Sequence, residues 1–190
     1  GSEPAADQKP PDKNEALTRA IENGLAFLSR NQQPNGAWIC KVGYKLNEGY
    51  IGPENENIAV TALAGMAFMA QGNLPGRGKY GKEVERAIDF ILSCVRDSDG
   101  YITKHGSRMY EHAFATLFLA EVYGMSTRDD IKAKLKKAAY LIVASQNKEG
   151  GWRYQPVVLD ADISVTVTTL QALRAVRNIG ISVPKETIDN

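Results

Sequence analysis

Three stretches of this chain carry apolar residues in one shared helical register, and a register that returns three times leaves few folds open. Leu17, Ala20, Ile21, Gly24, Leu25 and Leu28 fall at offsets 0, 3, 4, 7, 8 and 11. Val84, Ala87, Ile88, Ile91, Leu92 and Val95 occupy the same six offsets, and Ile131, Leu135, Ala138, Ala139 and Ile142 repeat most of them. This is one face of a helix of period 3.6. A turn comes after each stretch: Gln32-Gln-Pro-Asn-Gly-Ala-Trp38, Asp97-Ser-Asp-Gly-Tyr101, and Gln146-Asn-Lys-Glu-Gly-Gly-Trp152. The turn glycine stands eight residues past the last apolar position in copies one and three, and five past it in copy two. Such self-similarity is the mark of a repeat, here an αα-hairpin with an aromatic at its turn.

The third copy is the clearest. Thr127-Arg-Asp-Asp130 sets a carboxylate three residues after a hydroxyl, a helix-start signature. Its second helix runs from about Asp162 to Arg177 and stops at Asn178-Ile-Gly180, with Pro184 beyond. The spacing predicts helices at about 14–30, 56–71, 82–96, 109–123, 128–145 and 162–178, paired as hairpins over 14–72, 82–124 and 127–180. The fold class is all-α.

The two helices of each pair differ in character. Glu83, Glu85, Arg86 and Asp89, or Lys132, Lys134, Lys136 and Lys137, give the first helix a wet side. Ile58-Ala-Val-Thr-Ala-Leu-Ala-Gly-Met-Ala-Phe-Met-Ala70 and Ala113-Phe-Ala-Thr-Leu-Phe-Leu-Ala120 are apolar nearly all round, so they are buried on all faces. Ile163 to Leu173 is similar but more polar, through Ser164, Thr168 and Gln171. The result is an outer layer of amphipathic helices around an inner layer of buried ones. The lysine cluster then reads as a solvated face.

The flanks and the charge limit the function. Gly1-Ser2 reads as a scar of tag removal, and residues 1–13 form a tail too polar and Pro-rich to bury anything. Such a tail is the kind found after a removed signal peptide, which suggests export. Residues 185–190 read as a C-terminal tail. The formal net charge of +1 gives no global field for nucleic acid. No apolar run reaches the roughly 20 residues of a membrane span. Cys40 and Cys94 form no Cys-x-x-Cys pair, so neither a disulfide framework nor a metal site is expected.

Aligning the inner helices on Val60-Thr61, Ala115-Thr116 and Val165-Thr166 gives columns. Four residues before each threonine stand Asn57, His112 and Asp162; five before stand Glu56, Glu111 and Ala161. Positions i and i+4 share a helix face, so these polar residues collect at the N-terminal mouth of the inner helices. Asp162, His112 and Glu111 are the candidate acid–base set. Asn57, Glu56, Tyr110, Tyr44, Tyr50, Tyr154 and Asp160 are candidates to line a ligand site there. The alternative is capping: Asp160, Asp162 and Asn57 suit a helix N-cap, and Glu56 and Glu111 suit the positive end of the helix dipole. Histidine is a poor cap, so His112 fits this alternative least.

The Gln-x-x-x-Gly-x-Trp turns at 32–38 and 146–152, with Gly151-Trp-Arg-Tyr154 and Asp162-Ile-Ser-Val-Thr166, resemble the Gln-Trp repeats of the terpenoid cyclase/prenyltransferase superfamily. The resemblance spans residues 14–184 and extends to the squalene-cyclase-like repeat proteins of bacteria. It implies an α/α toroid of paired helices in two concentric rings, of which three hairpins make a partial ring. It also implies that Trp38 and Trp152 lock outer helices to inner ones. The family's Asp-x-Asp-Asp acid motif is matched at Asp160 and Asp162, while Ile163 replaces its last acid. The zinc set of prenyltransferase β-subunits has no cysteine counterpart at an inner-helix start. No metal and no cofactor are expected.

Two function classes remain open. One is a binding or assembly module whose concave inner face takes an apolar or isoprenoid-like ligand, a glycan or a protein segment. The other is an enzyme of the terpenoid cyclase/prenyltransferase type using Asp162, Glu111 and His112. An unclosed ring leaves Leu63, Met66, Phe68, Phe118 and Leu119 without full cover, so a homodimer, or docking onto the remainder of a longer protein, is expected.

Overall fold

The computed structural model describes residues 13–41 and 54–189, and over these residues the protein is mostly helical. The chain divides into two units, one ending at Asn31 and one starting at Gln32. The first holds helix α1 (Lys13–Asn31), whose last turn is closed by Asn31 Nδ2 donating to the Phe27 carbonyl at 2.8 Å. The second holds strands β1 (Trp38–Lys41) and β2 (Glu54–Asn57) and helices α2 (Ile58–Ala70), α3 (Gly81–Ser93), α4 (Met109–Met125), α5 (Asp130–Ala144), α6 (Ile163–Asn178) and α7 (Lys185–Asp189). The six expected helices are present, each within a few residues of its expected bounds. Of the tail expected over 1–13, residues 1–12 lie outside the described residues, and Lys13 is the first residue of α1.

Two elements differ from expectation. β1 and β2 pair antiparallel, Trp38 opposite Asn57 and Lys41 opposite Glu54, where only a connection was expected. The stretch 185–190, read as a tail, contains α7, with Thr187 buried. Gln146 holds it there: the Gln146 side-chain amide donates to the Thr187 carbonyl at 3.0 Å.

α4 packs against both α2 and α6, α3 lies on α2, and α5 lies on α4 and α6. The sequence register explains the contacts of α3 and α5 but not α1, where Leu17, Ala20 and Gly24 are exposed and Leu25 alone of the six register positions is buried. Val84, Ala87, Ile88, Ile91, Leu92 and Val95 are all buried, as are Ile131, Leu135, Ala138, Ala139 and Ile142. α2 and α4 are buried over much of their circumference, because small residues let neighbours approach. Gly65 of α2 faces the Phe118 ring of α4 so closely that a Cβ there would stand 2.5 Å from a ring atom. This corrects one expectation: Phe68, Phe118 and Leu119 are fully buried, and of the five residues expected bare Leu63 alone is exposed. Phe118 fills the space over Gly65, and Phe68 sits between Trp38 and Tyr80, with ring centroids 6.1 and 5.0 Å away.

The lysine face of α5 is partly tied down. Lys134 Nζ donates to the Leu92 carbonyl and Lys137 Nζ to the Asp97 carbonyl, both at 2.8 Å. These ammonium groups donate to carbonyls at the end of α3 and in its turn; the Leu92 carbonyl also accepts the Val95 amide at 3.3 Å.

Candidate functional site at the helix starts

Each repeat wires its turn to the helix after it. In the first copy the Thr61 hydroxyl accepts the Trp38 amide at 3.1 Å and donates to the Asn57 carbonyl at 2.7 Å. In the third, the Thr166 hydroxyl accepts the Trp152 amide, also at 3.1 Å. The Trp152 indole is buried and donates to the Ile142 carbonyl at 2.7 Å, tying α5 to the turn. The turn glycines Gly36 and Gly100 have φ of 91° and 79°, a region L-residues avoid. They also abut the backbone of the next amphipathic helix: a Cβ on Gly36 would meet the Arg86 carbonyl, and one on Gly100 the Lys137 backbone.

In the second copy a histidine takes the place of the threonine. His112 Nδ1 accepts the Ile102 amide at 3.0 Å, so the proton lies on Nε2, which donates to the Ala138 carbonyl at 3.1 Å. The ring is wholly buried, packed against Tyr101, and burial pulls its pKa down to about 4. Both nitrogens are engaged with the backbone. His112 is therefore a neutral fastener between turn, α4 and α5, and it has no proton to offer a substrate at neutral pH. Glu111 does not join it: its carboxylate accepts the Arg108 amide at 2.8 Å, closing the start of α4.

Asp162 gathers a different set. Oδ1 accepts the Ser164 amide at 3.0 Å and the Val165 amide at 3.2 Å, the geometry of an N-cap. Tyr154 donates its hydroxyl to Oδ2 at 3.0 Å, and Ser164 adds its hydroxyl to Oδ1. Tyr110, from α4, reaches the same group, 3.5 Å from Oδ1 and bonded to the Ser164 hydroxyl. These bonds, led by that of Ser164 and then the Val165 amide and Tyr154, hold the Asp162 carboxyl down at about 2. The Tyr154 phenol is correspondingly raised, mainly by its bond to Asp162. Its ring lies 6.2 Å from that of Tyr110 and is flanked by the guanidinium groups of Arg108 and Arg153, at 5.6 and 5.2 Å. Asp160 pairs with Arg153 on the exposed side.

Asn57 and Glu56 form a separate cluster at the start of α2. Asn57 caps the helix, its Oδ1 accepting the Val60 amide at 2.8 Å. Glu56 accepts from Asn35 Nδ2 at 2.6 Å, pairs with Lys104 at 2.8 Å and lies 3.4 Å from His105 Nε2. The Lys104 ammonium, then Asn35, hold its carboxyl at about 2. The expected column is thus three separate constellations. Tyr110, Tyr154 and Asp162 come together, while His112, Glu111, Asn57 and Glu56 are engaged elsewhere. Tyr44 and Tyr50 lie outside the described residues.

Sequence reading missed Ser164, whose place two residues after an N-cap aspartate was the available signal, and the Lys104–Glu56 pair, which no local spacing announces. Among the described residues no group of three His, Cys, Asp or Glu side chains is placed to hold a metal ion. No helix of the described residues is long and apolar enough to cross a membrane. No family model matches the sequence.

Proposed function

We propose that the chain is a helical-repeat scaffold of the terpenoid cyclase/prenyltransferase type, a partial α/α ring, acting as a binding or assembly module. The observation that carries the non-catalytic part is the state of Asp162. An acid that protonates an alkene must keep its proton in a dry, hydrogen-bonded pocket. Asp162 is half-exposed, accepts hydrogen bonds from amides and hydroxyls, and is held near 2, so it is a charged acceptor at neutral pH. With His112 neutral and buried and Glu111 on a backbone amide, no acid–base pair remains among these three.

Exposed apolar side chains support the binding part. Val157, Val158 and Leu159 form an exposed apolar run in the loop before α6, and Leu63 of α2 and Val167 of α6 are exposed too. Such runs on a surface mark contact sites. A small apolar ligand needs a pocket that covers most of its area. Side chains this open suit the broader surface of a protein segment.

The test uses the full chain. Incubated with squalene or polyprenyl diphosphates it should release no product, and it should bind the apolar-surface dye anilinonaphthalene sulfonate. Val158→Glu with Val167→Glu should abolish dye binding while leaving helical circular dichroism intact. Product formation that Asp162→Asn eliminates in a folded protein would establish the enzyme reading instead. Dye binding indifferent to the double substitution would sink the proposed surface.

A further inference from the structure

The turns of the first and third copies each hold the next helix in the chain's outer layer or at its end by the same pair of bonds. The Gln32 side-chain amide donates to its own turn, at the Gly36 carbonyl (3.0 Å), and to the Glu83 carbonyl (2.9 Å). The Gln146 side-chain amide donates to its own turn, at the Gly150 carbonyl (3.0 Å), and to the Thr187 carbonyl (3.0 Å). Glu83 is the third residue of α3 and Thr187 the third residue of α7. The next residue is Val84, buried at the head of the α3 register, and Ile188, half-buried against turn three.

α7 therefore stands to the third repeat as the first turn of α3 stands to the first. Beside it a cleft of about 340 Å³ runs between Gly150, Ala161, Ile163, Leu170, Thr187 and Ile188. Ile163 is 80% exposed at its rim, the most exposed large apolar side chain among the described residues. The corresponding flank of α4 is covered by α6, and that of α2 by α4.

We propose that the α6–α7 edge is a docking surface for one more αα-hairpin of the same repeat, entering as a continuation of α7. Its amphipathic helix extends the α7 axis over turn three, and its apolar helix covers Ile163 and Leu170 of α6. This deepens the scaffold reading, on which it rests, by naming the occupant. A second copy of the chain seated on the same edge is the competing outcome.

The test grafts the chain's own repeat in register. Residues 84–125, which naturally come after Glu83, replace residues 188–190, so that they follow Thr187 directly. In a control the same segment is preceded by two inserted residues, which turns its apolar stripe by about 200°. Hydrogen exchange of α6 amides 166–171 should slow at least about tenfold in the registered graft and stay at the parent rate in the shifted one. Equal rates in the two grafts overturn the proposal. So does a parent chain that sediments as a dimer with α6 already protected and is made monomeric by Ile163→Glu.

A second measurement needs no graft. Gln146→Ala should speed exchange at Ile188 roughly tenfold while α5 amides are unchanged. If Ile188 does not respond, the turn does not seat α7 and the proposal falls. None of these outcomes depends on turnover, so the scaffold reading and this one can fail separately.

Discussion

His112 Nδ1 accepts the amide of Ile102 at 3.0 Å, the task that the Thr61 and Thr166 hydroxyls perform for Trp38 and Trp152. The consequence is a titratable group in a fastening role. Burial lowers its pKa from 6.5 to about 4, so the folded chain holds the ring neutral where the unfolded chain takes up a proton. A depressed base favours folding above the unfolded pKa, and that contribution is lost as pH falls from about 6.5 to about 4. The loss amounts to roughly 3 kcal/mol at the acid end. Urea unfolding at several pH values should show this slope. His112→Gln, which can accept and donate in the same place, should flatten it. A slope unchanged in His112→Gln would assign the effect to another group.

The glutamines of the turns should be worth about as much as their paired bonds. Each side-chain amide donates to two carbonyls, one in its own turn and one in a later helix. A net hydrogen bond contributes about 1 kcal/mol, and an orphaned buried partner costs more. Gln32→Ala should therefore destabilise by about 2 kcal/mol in equilibrium unfolding. A loss below about 0.5 kcal/mol, the size of an ordinary surface change, would show that water replaces the glutamine without penalty.

Asn57→Ala removes the cap of α2 and should cost about 1 kcal/mol, whereas Asn57→Asp keeps the acceptor and should be close to neutral. Asn57 is nearly buried, opposite Trp38 in the short sheet, and its Oδ1 has the Val60 amide as partner. The discriminating result is the order of the two variants in thermal unfolding. An aspartate as damaging as alanine would mean that the cap is not what the side chain contributes.

The amphipathic helices α3 and α5 were legible because burial on one face writes a period into the sequence: every register position from Val84 to Val95 is buried, whereas the same period in α1 buries Leu25 alone. The β pair was not. Glu54-Asn-Glu-Asn57 has no apolar alternation, and its pairing with Trp38–Lys41 runs through backbone bonds that any side chain permits. α7 was not legible either, since five residues after Pro184 hold one large apolar side chain, Ile188, and the tether lies at Gln146. For the candidate site, the alignment joined residues that hold different places in their helices: His112 is the fourth residue of α4, not its cap. Asn57 and Asp162 cap their helices, while His112, in the same column, turns to a backbone amide in its own turn. An imidazole carries an acceptor and a donor at opposite ends, so it can bridge Ile102 and Ala138 as a carboxylate cannot.

A close fit in the core lies between α2 and α4. A Cβ on Gly65 would stand 2.5 Å from one atom of the Phe118 ring and 2.6 Å from another. Phe118 is fully buried, so its ring has no open side to move into. Gly65→Ala gains helix propensity, worth up to about 1 kcal/mol, but overpacking a filled core costs about 1–3 kcal/mol. The clash should win, giving net destabilisation. Phe118→Leu alone loses contacts and leaves space, which also destabilises. Together the two changes fit one another: the alanine methyl enters the volume the ring vacates. The double variant should be more stable than the sum of the single losses by about 0.5–3 kcal/mol, the range for residues in direct contact. Equilibrium unfolding of the four proteins in a cycle measures this coupling. Strict additivity would mean that α2 and α4 separate to admit the methyl, and that Gly65 does not set their approach.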